Sequence, residues 1–179
     1  MLAKIQHFVY NCIQKKENGG IVLFVIGDYI VHPMHGAGVI ENIVSRRISG
    51  DERDYYVLKL PVGDMVVMVP VDGCESIGVR SVISHDEAVG ILDAFPDIEV
   101  SMTQNWNKRY RENMEKIKSG NLLEVGEVVK GLMCRDLERG LSTGERKMLH
   151  SAKQILISEL VVALDTDYEH VEQKLSSAI

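Results

Sequence analysis

No stretch of the 179-residue chain approaches the roughly 20 consecutive apolar residues of a membrane-spanning helix. The N-terminal segment has neither the long apolar run nor the small-residue cleavage site of a secretory signal, so the expected location is the cytoplasm. The three cysteines, Cys12, Cys74 and Cys134, are odd in number, far apart and without a CxxC pair, which supports neither a disulfide framework nor a zinc site. There is no Walker loop, no GxGxxG, no GxSxG and no HExxH. His32 and His35 with Asp28 nearby lack a convincing third ligand and read as ordinary turn histidines. Asp51, Glu52 and Asp54 fall in a hairpin loop, where solvated charge is the default. No cofactor, no metal and no enzymatic activity are expected, although residues distant in sequence can still converge into a catalytic group.

An excess of positive charge is missing too. A net charge of −6 argues against a protein that coats nucleic acid by bulk attraction, so any contact with DNA must be local. Aromatic residues are sparse at 6%, and Trp106 is the one tryptophan. It opens the run Trp106-Asn107-Lys108-Arg109-Tyr110-Arg111, followed by Lys116 and Lys118, so residues 105–118 carry five cations against two anions. An apolar plane beside cations suits a wedge inserted at a base step with charges on the phosphates. The competing reading is packing, because Trp106, Tyr110, Met114 and Ile117 fall on one helical stripe, and mixed charge is usually a solvated face.

The rest of the chain has two periods. Short β-branched or aromatic runs at 29–32, 39–44, 55–60 and 65–69 are separated by turn chemistry at 35–38, 49–51, 61–64 and 72–73. Four or five strands in about 55 residues predict a small, bent β barrel of the SH3 or Tudor type, which binds through an edge or a rim. After Arg80 the period becomes helical. Ser84 with Glu87, Asn121 with Glu124, Ser142 with Glu145 and Thr166 with Glu169 mark helix starts. Pro96, Gly120 and Gly140 mark stops. The fold class is therefore α+β in two domains, a barrel over 23–79 and a compact helical bundle over 80–179. Residues 1–22 fit neither. Ile5, Phe8, Val9, Cys12 and Ile13 suit an amphipathic helix. Alternatively, Lys16 to Leu23 can be back-translated into a ribosome-binding sequence ahead of a TTG codon, making Leu23 the initiator and 1–22 an untranslated leader.

From Phe24 onward the sequence resembles the CarD/CdnL family of bacterial transcription regulators, whose N-terminal domain is shared with transcription-repair coupling factor. The residues carrying the resemblance are Ile26-Gly27-Asp28-Tyr29-Ile30-Val31-His32-Pro33-Met34-His35-Gly36-Ala37-Gly38-Val39-Ile40, Tyr56 to Leu60, and Val69-Pro70-Val71. In the helical half they are Asn105-Trp106, Lys108 to Arg111, Arg135 to Ser142 and Lys153 to Leu156. The resemblance implies that the barrel docks on the RNA polymerase β subunit while the helical domain reaches promoter DNA at the upstream edge of the melted region. Trp106 would wedge into the minor groove, and Lys108, Arg109, Arg111 and Arg146 would contact phosphates. Arg46, with Arg47 beside it, falls where relatives carry a polymerase-contacting arginine, whereas Met68 stands where some carry a basic residue. The resemblance further implies a monomer associated with the nucleoid through the polymerase. The alternatives are a protein adaptor with no DNA role, which predicts a buried Trp106 and a neutralised basic face, and an enzyme with a deep polar pocket between the domains.

Overall fold

The computed structural model describes residues 24–48, 50–61 and 65–179, and both readings of residues 1–22 lie outside them. Strands β1 (Tyr29–His32), β2 (Gly36–Ile48), β3 (Asp51–Lys59), β4 (Val66–Pro70) and β5 (Arg80–Ser81) form one antiparallel sheet. Its order is β4-β3-β2-β1-β5. Side chains alternate across a strand, so Ile40, Tyr56, Leu58 and Val69 share the inner face and meet Phe24 and Ile30 in a core. A register shift between Ile40 and Asn42 bends β2 and helps the sheet curl. The sheet stays open, because β4 and β5 do not pair. The predicted barrel is thus realised as a bent, unclosed sheet.

The β2–β3 hairpin is longer than its apolar runs imply. Beyond Val44 and Tyr55 the ladder continues through Ser45↔Asp54, Arg46↔Arg53, Arg47↔Glu52 and Ile48↔Asp51, all exposed. This arm is held by backbone pairing and by the Ser45 hydroxyl donating to Asp54 at 2.6 Å, with no core beneath it.

The helices are α1 (His85–Ala94), α2 (Trp106–Lys118), α3 (Leu122–Arg139), α4 (Thr143–Leu164) and α5 (Tyr168–Ser177). The capping boxes at Ser84 and Ser142 form, and Asn121 accepts from the backbone of Leu123 and Glu124, each cap stabilising its helix by about 1 kcal/mol. The last helix differs from expectation. Asp167, not Thr166, is its cap, accepting from the His170 N–H at 2.7 Å. A carboxylate caps at least as well as a hydroxyl and also complements the positive helix end. Val125, Val129, Leu132, Ala152, Leu156 and Leu160 fill the bundle core between α3 and α4. No helix among the described residues is long and apolar enough to cross a membrane.

Helix α4 also joins the two halves. The turn between β1 and β2 lies so close to it that a Cβ on Gly36 would sit 2.1 Å from the Ser158 hydroxyl oxygen, and Gly36 has φ of +86°. Only glycine fits both the space and the conformation. The Ala37 N–H donates to Ser158 at 2.9 Å. Next along, Glu159 is fully buried and takes both guanidinium nitrogens of Arg80 and the Ile83 N–H, fixing the segment that links sheet to bundle. A buried carboxylate survives only when paired and hydrogen-bonded in this way.

Candidate functional site

Trp106 is the first residue of α2, placed there by Asn105, whose side chain accepts from the Lys108 N–H at 3.0 Å. Its ring is 44% exposed and stacks on Tyr110, 40% exposed, with centroids 5.4 Å apart and planes 25° apart. The indole N–H donates to the Ser142 hydroxyl at 3.2 Å. A Cβ at Gly144 would lie 3.4 Å from the ring, so the inner edge of the indole abuts the start of α4 while its outer part faces solvent. The helical stripe proposed from sequence is buried only at its far end, at Ile117.

The buried residues of α2 are Arg109, Asn113 and Ile117, a stripe turned by one position from the expected one. Its anchor is Glu145. One oxygen of that carboxylate accepts from Arg109 at 2.6 and 2.9 Å, and the other accepts from the backbone and hydroxyl of Ser142 at 3.0 and 2.8 Å. Arg109 also donates to the carbonyls of Thr103 and Gln104. The Arg135 Nε lies 3.2 Å from the same Glu145 oxygen but without the alignment of a hydrogen bond. Burial pushes the Glu145 carboxyl upward, but hydrogen bonds from Ser142 and Arg109 outweigh it and bring the pKa from 4.5 down to about 2. The capping box therefore does a second job: it fixes Ser142, and Ser142 holds Trp106.

This arrangement corrects one expected DNA contact. Arg109 is 2% exposed, with its guanidinium occupied by Glu145 and two carbonyls, so it is a positioning residue beneath the tryptophan and does not meet a phosphate directly. Its burial has no local sequence signal, because Glu145 is 36 residues away; only the 109/113/117 spacing hints at an inward face. The other three cations are exposed. Lys108 pairs weakly with Glu112 at 3.7 Å across solvent, while Arg111 and Arg146 have no side-chain partner among the described residues. Arg146 sits one turn into α4, the helix whose first turn meets the indole.

A second surface lies on the outer face of the sheet. Alternation puts Val44, Arg46, Arg53, Tyr55, Val57, Val66 and Met68 on that face. Arg46 and Met68 are therefore brought to one side and Arg47 to the other. Val66 and Met68 are 53% and 43% exposed on β4, whose outer edge has no strand partner among the described residues. Arg46 stands directly opposite Arg53, a like-charge pair in which Arg53 has Asp51 at 3.8 Å and Arg46 has no carboxylate partner among the described residues.

Elsewhere, the His32 and His35 rings lie 4.6 Å apart, and His32 Nδ1 accepts from the Met34 N–H at 3.1 Å. Burial, with His35 adding to it, lowers the His32 pKa. A hollow of about 530 Å³ between α1 and the turn before α3 is lined by Ile83, Gly90, Ile91, Leu122 and Arg80, whose guanidinium is already occupied by Glu159.

Residues 24–83 match the family described as CarD-like/TRCF RID domain, and residues 90–176 match that of the CarD C-terminal domain. The chain is 39% identical over 140 residues to "Putative transcription factor YdeB" of Bacillus subtilis (strain 168), covering 78% of this chain and 92% of that protein. An RNA-polymerase-interacting sheet followed by a CarD-type helical bundle, and a relative matched across nearly its whole length, place this chain in the CarD/CdnL family of transcription regulators.

Proposed function

We propose that the protein docks on the RNA polymerase β subunit through the outer face and free edge of its sheet and stabilises the promoter open complex by placing Trp106 at the upstream edge of the melted DNA. The observation that carries this reading is the tryptophan itself: half exposed, stacked on an exposed tyrosine, tethered to Ser142, and accompanied by the exposed cations Lys108, Arg111 and Arg146. Unstacking an intact base step costs a few kcal/mol, so an apolar plane finds less resistance at a junction that is already melted. A ligand with higher affinity for melted than for closed DNA shifts the promoter toward the melted state. An acidic protein need not bind DNA tightly by itself, because docking on the polymerase raises the effective concentration of α2 at the promoter.

Support for the docking half comes from β4. Its outer edge, without a strand partner among the described residues, can add to a partner sheet through backbone hydrogen bonds, and such pairing tolerates Met68 where some relatives carry a basic residue. Arg46 and Arg53 on the same face suit an acidic neighbour. Binding of the full chain to purified β, compared with Arg46→Glu, tests this half. Weaker binding by the variant supports it, and unchanged binding contradicts it. An adaptor without a DNA role is disfavoured by the exposure of Trp106 and by Arg111 and Arg146, which have no side-chain partner among the described residues. The site of action is then the bacterial cytoplasm, where the polymerase works.

A further inference from the structure

Two arginines share one carboxylate beneath Trp106. Arg109 and Ser142 between them occupy the two oxygens of Glu145, so Arg135, 19% exposed at its side chain, is left with the off-axis approach of its Nε and with Nη groups that have no partner among the described residues. Arg135 lines a hollow of about 350 Å³ together with Gln104, Gly131, Cys134, Glu138 and Arg139. Arg139 follows Arg135 by one helical turn, a spacing at which like charges repel. It is held toward the hollow by Gln104 at 3.3 Å and by a loose, exposed pairing with Glu138 at 3.7 Å. Three guanidiniums thus face two carboxylates, one of which is spread in solvent. The excess positive charge is concentrated at a partly buried cavity whose wall includes Gln104, two residues before the tryptophan.

The geometry points to an oxyanion site: Arg135 and Arg139, with the Gln104 amide, form a pocket for a phosphoryl group, separate from the cations Lys108, Arg111 and Arg146. Planar guanidinium forks suit phosphate oxygens, and the restricted exposure of Arg135 strengthens the charge-assisted bonds. The phosphoryl group comes either from a DNA backbone passing Trp106 or from a free phosphate such as a nucleotide. The first source deepens the DNA-contacting role proposed above, and the second stands without it.

The test uses the full chain and the fluorescence of its one tryptophan, which is linked to the pocket through Ser142 and Glu145. Titration with pyrophosphate at constant ionic strength should saturate. Arg139→Ala, a half-exposed change that leaves the buried pair intact, should weaken binding about tenfold, as expected for one lost charge-assisted contact, with an unchanged melting temperature. A forked duplex titrated across salt concentrations should give a slope lower by about one in the variant. Pyrophosphate saturation that Arg139→Ala weakens, with an unchanged DNA slope, assigns the site to a free phosphate. A reduced slope without pyrophosphate saturation assigns it to the DNA backbone. If Arg139→Ala alters neither binding reaction, or if wild type binds neither ligand, the site does not exist.

Discussion

Replacing Glu145 by glutamine keeps the side chain's shape and removes the one charge that Arg109 and Arg135 share. Breaking a buried pair by deleting one partner typically costs about 3–5 kcal/mol, because the remaining charge stays buried without compensation. The carboxyl's own titration gives a second figure. At about 1.4 kcal/mol for each tenfold change in proton affinity, lowering its pKa from 4.5 to about 2 corresponds to about 3 kcal/mol. Because the folded-state value is depressed, this contribution is fully present above 4.5 and is lost as pH falls toward 2. Urea unfolding followed by helical circular dichroism should therefore show Glu145→Gln less stable than wild type by about 3 kcal/mol at neutral pH. The gap should narrow steadily below about pH 4.5 as wild type protonates the same group. A gap under about 1 kcal/mol, the size of an exposed pair, or one that does not change with pH, would refute the buried-anchor argument.

Other consequences concern the joint, the polymerase face and the DNA face. Gly36→Ala forces a Cβ to within 2.1 Å of Ser158 at a positive φ, so thermal melting should drop by more than the roughly 0.5–1 kcal/mol of an ordinary glycine change, whereas an unchanged melting temperature would mean that the turn does not pack on α4 as described. Arg46→Glu should weaken binding to β more than Arg47→Glu, because only Arg46 shares a face with Met68; equal effects in a pull-down would contradict the register argument. Arg111→Ala and Arg146→Ala should each lower the salt slope of DNA engagement by about one without changing stability, and a slope equal to wild type would remove that residue from the interface.

The element plan was legible because each boundary carries a local chemical signature. Ser84, Asn121 and Ser142 cap the helices that follow them, and the alternation of Tyr56, Leu58 and Val69 marks the inner face of the sheet. Local signals missed what depends on distant partners. The hairpin arm beyond Val44 is polar apart from Ile48 and gains its strand character from cross-strand pairing, not from burial. In the sequence Arg109 reads as one more surface cation and Glu145 as a capping residue only, because the ion pair between them spans 36 residues. The seam at Ser158 and Glu159 was equally hidden, since a serine and a glutamate in an apolar helix gain meaning only from Ala37 and Arg80. Trp106 fell between the two classes: its position in the sequence marked a helix start and a stripe, but whether the ring faces inward depends on how α2 rolls against α4.

That roll also sets what loss of the ring costs the fold. Truncating Trp106 forfeits a half-exposed ring, one stacked pair and one hydrogen bond, together about 1–3 kcal/mol, well short of the roughly 3–5 kcal/mol of a fully buried aromatic. Trp106→Ala should consequently remain folded, and the lifetime of the competitor-challenged promoter open complex is the measurement to make. Wild type should prolong this lifetime, Trp106→Ala should lose the effect while still binding β, and Trp106→Phe should keep part of it. A folded, β-bound Trp106→Ala that prolongs the open complex as well as wild type does would mean that Trp106 is not the wedge.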